Sequence, residues 1–205
     1  VEPFDIACPF GTLGRLFRQG KEKFPVHSGY IKPDPQLVEE FRQRLKKAGP
    51  GPYVGLCWRS GLRGAYRTEY YSEIEDMRAL MKVDGVTFVN LQYDATAEEL
   101  ETAKSEFGVD LTAWDDVDLK NELEKAAALT SCMDLVVSPA TSVSVMSGAL
   151  GVETIEFRPF PISDSYFKNG RCPWFPSVRY FAKRQSEKWN KILRTIAVEI
   201  EALKA

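Results

Sequence analysis

The chain has a single histidine, His27. A two-histidine zinc site needs a pair and cannot be built from this sequence. A Ser-His-Asp relay would have to use His27, which lies in the irregular first stretch and reads as a surface or packing residue. Its chemistry must rest on carboxylates, arginines, hydroxyls or backbone amides, or be completed by groups outside the chain. Cysteine is also scarce. Cys8, Cys57, Cys132 and Cys172 are scattered with no Cys-x-x-Cys pair, which argues for reduced thiols and a cytoplasmic setting. Cys57, in an apolar run, and Cys132, at a helix end, read as small buried hydrophobes. An excess of either charge is missing: 27 Lys+Arg face 29 Asp+Glu, which removes the basic footprint of a general nucleic-acid binder. No apolar run approaches the ~20 residues of a membrane span, and no signal peptide is visible. The chain opens on Val1 rather than Met, which points to a piece of something longer.

What is present is a chain of 205 residues, 44% hydrophobic and 12% aromatic, enough for one full domain with an appendage. Residues 1–50 read as that appendage. Up to Pro33 they are rich in proline and glycine, an irregular connector. Asp34-Pro35 then opens a docking helix with Leu37, Val38, Phe41 and Leu45 at helical spacing, and Gly49-Pro50 ends it.

Residues 51–205 alternate short apolar runs with capped helices. Tyr53 to Trp58, Val86 to Leu91, Asp134 to Ser138 and Thr154 to Phe157 read as buried strands, with short extra strands expected at Asp110–Thr112 and Val178–Phe181. Ser72 with Glu75 and Thr96 with Glu99 have capping-box spacing. Asp118 is expected to cap a helix from Leu119, Thr141 to Leu150 forms a small-residue helix closed by Gly151, and Glu187 to Leu203 forms a terminal helix. The alternation predicts an α/β fold, a Rossmann-like parallel sheet with helices on both faces.

Ligands of such sheets bind at the carboxyl ends of the strands, where three segments converge. Trp58-Arg59-Ser60-Gly61, continuing to Arg63 and Arg67, offers cations whose planar forks suit phosphate, although loop arginines are often no more than solvated charges. Ser138 to Ser144 is a strand followed by a helix start, whose open N–H groups and partial positive charge attract anions; Thr141 or Ser142 also serves simply as its cap. Gln92, Tyr93 and Asp94, with Glu98, Glu99 and Asp116, offer carboxylates for ribose hydroxyls and a ring for a base, against the simpler reading of helix-start charges on a wet surface. Asp115-Asp116 has no further ligand at a recognisable spacing, so no metal site is expected. The basic, aromatic stretch from Arg171 to Arg184 either lips the cleft or packs against a neighbouring domain.

Three blocks carry a family resemblance: Val54 to Gly61; Phe88 to Tyr93; and Leu119 to Gly151, with Ala126-Ala127-Ala128-Leu129 and Ser147-Gly148-Ala149-Leu150-Gly151. Together with Pro173 to Arg179 and Trp189, they resemble the carboxyl-terminal half of GT-B-fold, heptosyltransferase-like glycosyltransferases. Within that group the chain is most similar to the domains that follow tetratricopeptide repeats in many bacterial proteins. The resemblance implies a half that holds a nucleotide-sugar donor (a UDP-, GDP- or ADP-sugar) for glycosyl transfer. Trp58, Arg59, Ser60 and Gly61 match the family's loop near the phosphates, and Arg67 matches a basic position after it. Thr141, Ser142, Val143 and Ser144 match the helix start that receives the diphosphate. No metal or other cofactor is implied, and the catalytic residues are left unassigned. The expected partner is an acceptor domain or repeat array in the same polypeptide. Many relatives carry Asp where this chain has Ala140 and His where it has Val145. Those departures keep open a non-catalytic binding or scaffold module. A related GT-B epimerase is a third reading that no acid/base pair supports.

Overall fold

The apolar runs form five parallel strands: β1 (Tyr53–Leu56), β2 (Thr87–Asn90), β3 (Leu135–Pro139), β4 (Thr154–Arg158) and β5 (Val178–Ala182). They lie side by side in the order β2-β1-β3-β4-β5. The structure, a computed structural model, describes residues 3, 5–61, 64, 68–161, 170–184 and 186–204. Outside β2, Thr112 makes one parallel bridge to Val89, and Thr112 N donates to Phe88 O at 2.9 Å. The strand expected at Asp110–Thr112 is therefore reduced to that bridge. Counted as a one-residue strand, it completes the 3-2-1-4-5-6 order of a Rossmann sheet.

Strand side chains alternate between two cores, as the two-residue period requires. Val54, Leu56, Phe88, Leu135, Val137, Ile155 and Phe157 share a buried core with α3 (Arg78–Met81), α4 (Ala97–Phe107) and α7 (Trp189–Glu201). Val89, Leu91 and Val136 belong to the opposite one, with α2 (Pro35–Ala48), α5 (Leu123–Ser131) and α6 (Ser142–Leu150). Burial on both faces is what makes the strand sequences read as unbroken apolar runs.

Asp34 caps α2 by accepting from Gln36 N at 2.7 Å. The helix then packs Phe41 and Leu45, both buried, into the core that holds Val89 and Val136. Its Arg44 lies across the faces of Phe41 and Trp114 and donates to Asp116 Oδ2 at 2.9 Å. Upstream, the irregular reading needs correction. Phe10–Phe17 is a helix, α1, and Phe10, Leu13, Leu16 and Phe17 are exposed on it. The glycines at 11 and 14 disguised a helical spacing of apolar residues. Trp174 meets Phe24 edge-on at 4.8 Å, so this part of the basic, aromatic stretch packs on the connector rather than lipping the cleft.

Two helix starts also differ from expectation. The capping box sits one residue later, on Glu73 and Asp76, because the Ser72 hydroxyl donates to Trp58 O at 3.1 Å. The expected helix over that stretch is a 3-10 turn (Ile74–Met77) followed by the short α3. Asp118 folds back on its own turn, accepting from Lys120 N at 2.9 Å and Asn121 N at 3.0 Å, and α5 starts only at Leu123.

Candidate functional site

β1, β2 and β3 run out on one edge of the sheet, where the loops that leave them meet. The first two loops are tied together by a buried polar bracket. Gln92, 1% exposed, accepts on Oε1 from Trp58 N at 3.1 Å and Arg59 N at 3.0 Å. Cys57 Sγ donates to the same oxygen at 3.3 Å, and burial pushes its thiol up to about 11, which keeps it a protonated donor.

Arg59 is the centre of the bracket. Its Nε and Nη2 donate to the two oxygens of Glu99 at 2.8 and 2.7 Å. Nη1 donates to Asp94 Oδ1 at 2.7 Å and Nη2 to Asp94 O at 2.9 Å. Trp58, fully buried, adds its indole N–H to Glu99 Oε1 at 2.9 Å. Glu99 in turn completes the α4 capping box by accepting from Thr96 N at 2.8 Å.

Burial alone would raise the Glu99 carboxyl, but Arg59, the Thr96 N–H and the Trp58 indole together hold it below the ordinary range. The unfolded chain therefore takes up its proton at a higher pH than the folded one. Glu99 contributes stability above the unfolded value of ~4.3, and the contribution is lost as pH falls through the folded value. Stability measured by denaturant titration should fall more steeply below about pH 4 in the wild type than in Glu99→Gln. Parallel slopes would mean that Glu99 is not the acid-sensitive group of the bracket.

Beside the bracket opens a cleft of ≈ 260 Å³. Leu91 and Tyr93 line it from the loop that leaves β2, Leu119, Lys120 and Leu123 from the segment before and into α5, and Ser142, Val143 and Met146 from α6. The Tyr93 hydroxyl accepts from Gly61 N at 2.6 Å, which draws the end of the β1 loop onto the cleft wall. Thr141 is the N-cap of α6, accepting from Val143 N at 3.3 Å, and Ser138 Oγ lies 3.1 Å from Thr141 Oγ1. The first turn of α6 thus meets an apolar cleft with the positive end of its dipole.

The residues proposed from sequence divide into three groups. Tyr93, Ser142 and Val143 line the cleft, and Ser60, Gly61 and Thr141 are partly exposed near it. A second group is spent internally. Trp58 is core, Arg59 is only 3% exposed and holds two carboxylates, and Gln92 and Asp94 complete that bracket. Ser138 and Ser144 are buried beneath the helix start. Asp116 is taken by Arg44, and Glu98 lies exposed at the start of α4. Arg63 and Arg67, the third group, lie outside the described residues. Leu119, Lys120 and Met146 were missed as lining residues. Asp118 followed by Asn121 was the available signal, because that turn holds residues 119 and 120 out of α5. Among the described residues no cluster of three or more His, Cys, Asp and Glu is placed to hold a metal ion. No helix among them is long and apolar enough to cross a membrane.

No family model matches the chain. Protein FlbA of Caulobacter vibrioides is 33% identical over 199 residues, covering 96% of this chain and 33% of that protein. The chain thus spans about a third of the length of this relative. The solved structure of the E. coli ADP-heptose LPS heptosyltransferase II superposes with a TM-score of 0.52 at 15% identity, over 89% of this chain and 56% of that one. E. coli heptosyltransferase WaaC with ADP gives 0.54 at 16% identity, over 88% and 53%. The glycosyl transferase family 9 protein of Veillonella parvula gives 0.52 at 14%, over 77% and 44%. At these identities the likeness establishes the fold, an α/β parallel sheet with helices on both faces, like that of heptosyltransferase-type, GT-B-like glycosyltransferases.

Proposed function

We propose that this chain is the donor-binding part of a glycosyltransferase-like protein and takes a nucleotide sugar at the carboxyl edge of its sheet. The observation that carries the reading is the contact between an apolar cleft and a helix N-terminus. Leu91, Tyr93, Leu119 and Met146 give a base or ribose an apolar seat, and Ser142 and Val143, on the same cleft, open the helix whose dipole favours a diphosphate. Held there, the diphosphate would be stabilised as it leaves the sugar, the kind of electrostatic help that preorganised N–H groups supply. Lys120 on the cleft rim adds a cation from the other side. The base that activates the acceptor, and the acceptor site itself, belong in this reading to another part of the same polypeptide, an acceptor domain or a repeat array. A cytoplasmic setting belongs to the same proposal and draws on the four free cysteines.

Thermal unfolding with UDP, GDP, ADP and CMP, each with its nucleotide sugars, tests the proposal. A nucleotide at a hundred times its Kd should add about 2.7 kcal/mol and raise the midpoint visibly. No shift with any of them would sink the donor-site reading. One observation favours the non-catalytic alternative: Val145, on the second turn of α6, is an apolar side chain left 51% exposed. Nucleotide binding without glycosyl transfer by the full-length protein, across donors and acceptors, would decide for that module.

A further inference from the structure

The contact between β4 and α6 is a ladder of polar side chains. Thr154 Oγ1 donates to Ser147 Oγ at 2.8 Å. One step up, Ser144 Oγ donates to Glu156 Oε2 at 2.7 Å. Strand residues two apart keep to one face, so Arg158 follows Thr154 and Glu156 on the face of β4 that meets α6, toward the end of that helix capped by Thr141. Strand register agrees. β3 and β4 pair Ser138 with Glu156 and Pro139 with Phe157, which sets Arg158 one place beyond the end of β3, level with Ala140.

Glu156 is 4% exposed, and a carboxylate so placed must be neutralised. Arg158 does this with Nε, which donates to Glu156 Oε1. Its Cζ sits 4.6 Å over the ring of Tyr180, and 27% of the side chain is exposed. Among the described residues, Nη1 and Nη2 meet no hydrogen-bond partner. The contrast with Arg59 is direct, because that fork is engaged by two carboxylates inside the bracket. Arg158 is held at Nε and against a ring, so its outer edge is preorganised for two parallel bonds to a phosphoryl group.

We propose that Arg158 is the cation that receives the phosphoryl oxygens of the ligand, with Glu156 as its positioning residue. The inference rests on the nucleotide reading above but concerns the anion alone. Calorimetry of the full chain with inorganic pyrophosphate, ADP, UDP, GDP and the matching nucleosides tests it. Arg158→Gln should weaken pyrophosphate and the diphosphate that binds by about tenfold or more, the value of one or two charge-assisted bonds, while nucleoside affinity stays within about twofold. Arg158→Lys should recover only part of the loss, since a point charge lacks the fork. The single variant leaves Glu156 buried without its cation. The double variant Glu156→Gln/Arg158→Gln removes both charges, should fold as the wild type does, and should still lose the anion. Pyrophosphate bound by the wild type and lost in the double variant upholds the anion site even if no nucleoside binds. Wild-type affinity for pyrophosphate and diphosphate in a folded double variant overturns it and leaves the nucleotide reading standing. Binding of neither anion by the wild type overturns both.

Discussion

Arg59→Ala should cost about 3–5 kcal/mol of stability, the usual loss when one partner of a buried ion pair is removed. The loss comes from what is left behind. Glu99 retains 11% side-chain exposure and Asp94 34%, and both carboxylates now accept from Arg59. Without the guanidinium they face each other across a hole, and Glu99, which also accepts from the Trp58 indole and the α4 cap, loses the cation that holds it in place. At roughly 2–4 °C per kcal/mol for a chain of this size, the midpoint should drop on the order of 10 °C. Replacing Arg59 and Glu99 together by apolar residues should return much of the loss, because no charge is then stranded, and the double-mutant cycle measures the coupling. The same variant separates two roles for this arginine. If Arg59 is the brace of the β1 loop, the folded protein at low temperature keeps its nucleotide affinity to within a few-fold. A variant with wild-type stability and abolished nucleotide binding would make Arg59 the phosphate cation that its place after a strand first suggested.

That contrast also shows where sequence reasoning stopped. The strands and helix caps were legible because their signals are local. Asp34, Thr96 with Glu99, Thr141 and Gly151 all act within their own turns. The two missed helix starts failed where a local signal was claimed by something else: Ser72 by the Trp58 carbonyl, and Asp118 by its own turn. For the site, Arg59 stood among the phosphate ligands, Asp94 among the nucleoside ligands, and Glu99 both as a cap and as a carboxylate beside Asp94. Only the β1–β2 register, which pairs Leu56 with Asn90, brings the three together and spends their charges on one another. Arg158 failed in the opposite sense. It lies just past the stretch Thr154 to Phe157 that reads as a strand, and its value depends on β4 lying beside β3 with Glu156 one rung below. Formal charge is visible in a sequence, but whether that charge is already paired is a property of the fold.

Gly151→Ala should cost about 3 kcal/mol or more, and Gly108→Ala should cost about 1–2 kcal/mol. Both glycines end helices in the left-handed region, at φ of 80° and 74°, so the backbone strain added by a side chain is the same. Their surroundings differ. A Cβ at Gly108 meets nothing within 4 Å, whereas one at Gly151 would lie 1.8 Å from Ser28 O. Ser28 belongs to the connector, which reaches the end of α6 and donates from Tyr30 N and Ile31 N to Ala149 O at 2.8 and 3.0 Å. A methyl at 151 must push that chain off the helix and break those bonds, each worth about 0.5–1.5 kcal/mol. The difference between the two alanine variants therefore measures how firmly the connector is seated. Hydrogen exchange gives the local readout: the Tyr30 and Ile31 amides should lose protection in Gly151→Ala and keep it in Gly108→Ala. Equal losses of stability with both amides still protected would mean that the connector does not depend on this seat. Since α6 carries the connector at one end and the candidate anion site at the other, the nucleotide affinity of the two variants also reports whether seating the first steadies the second.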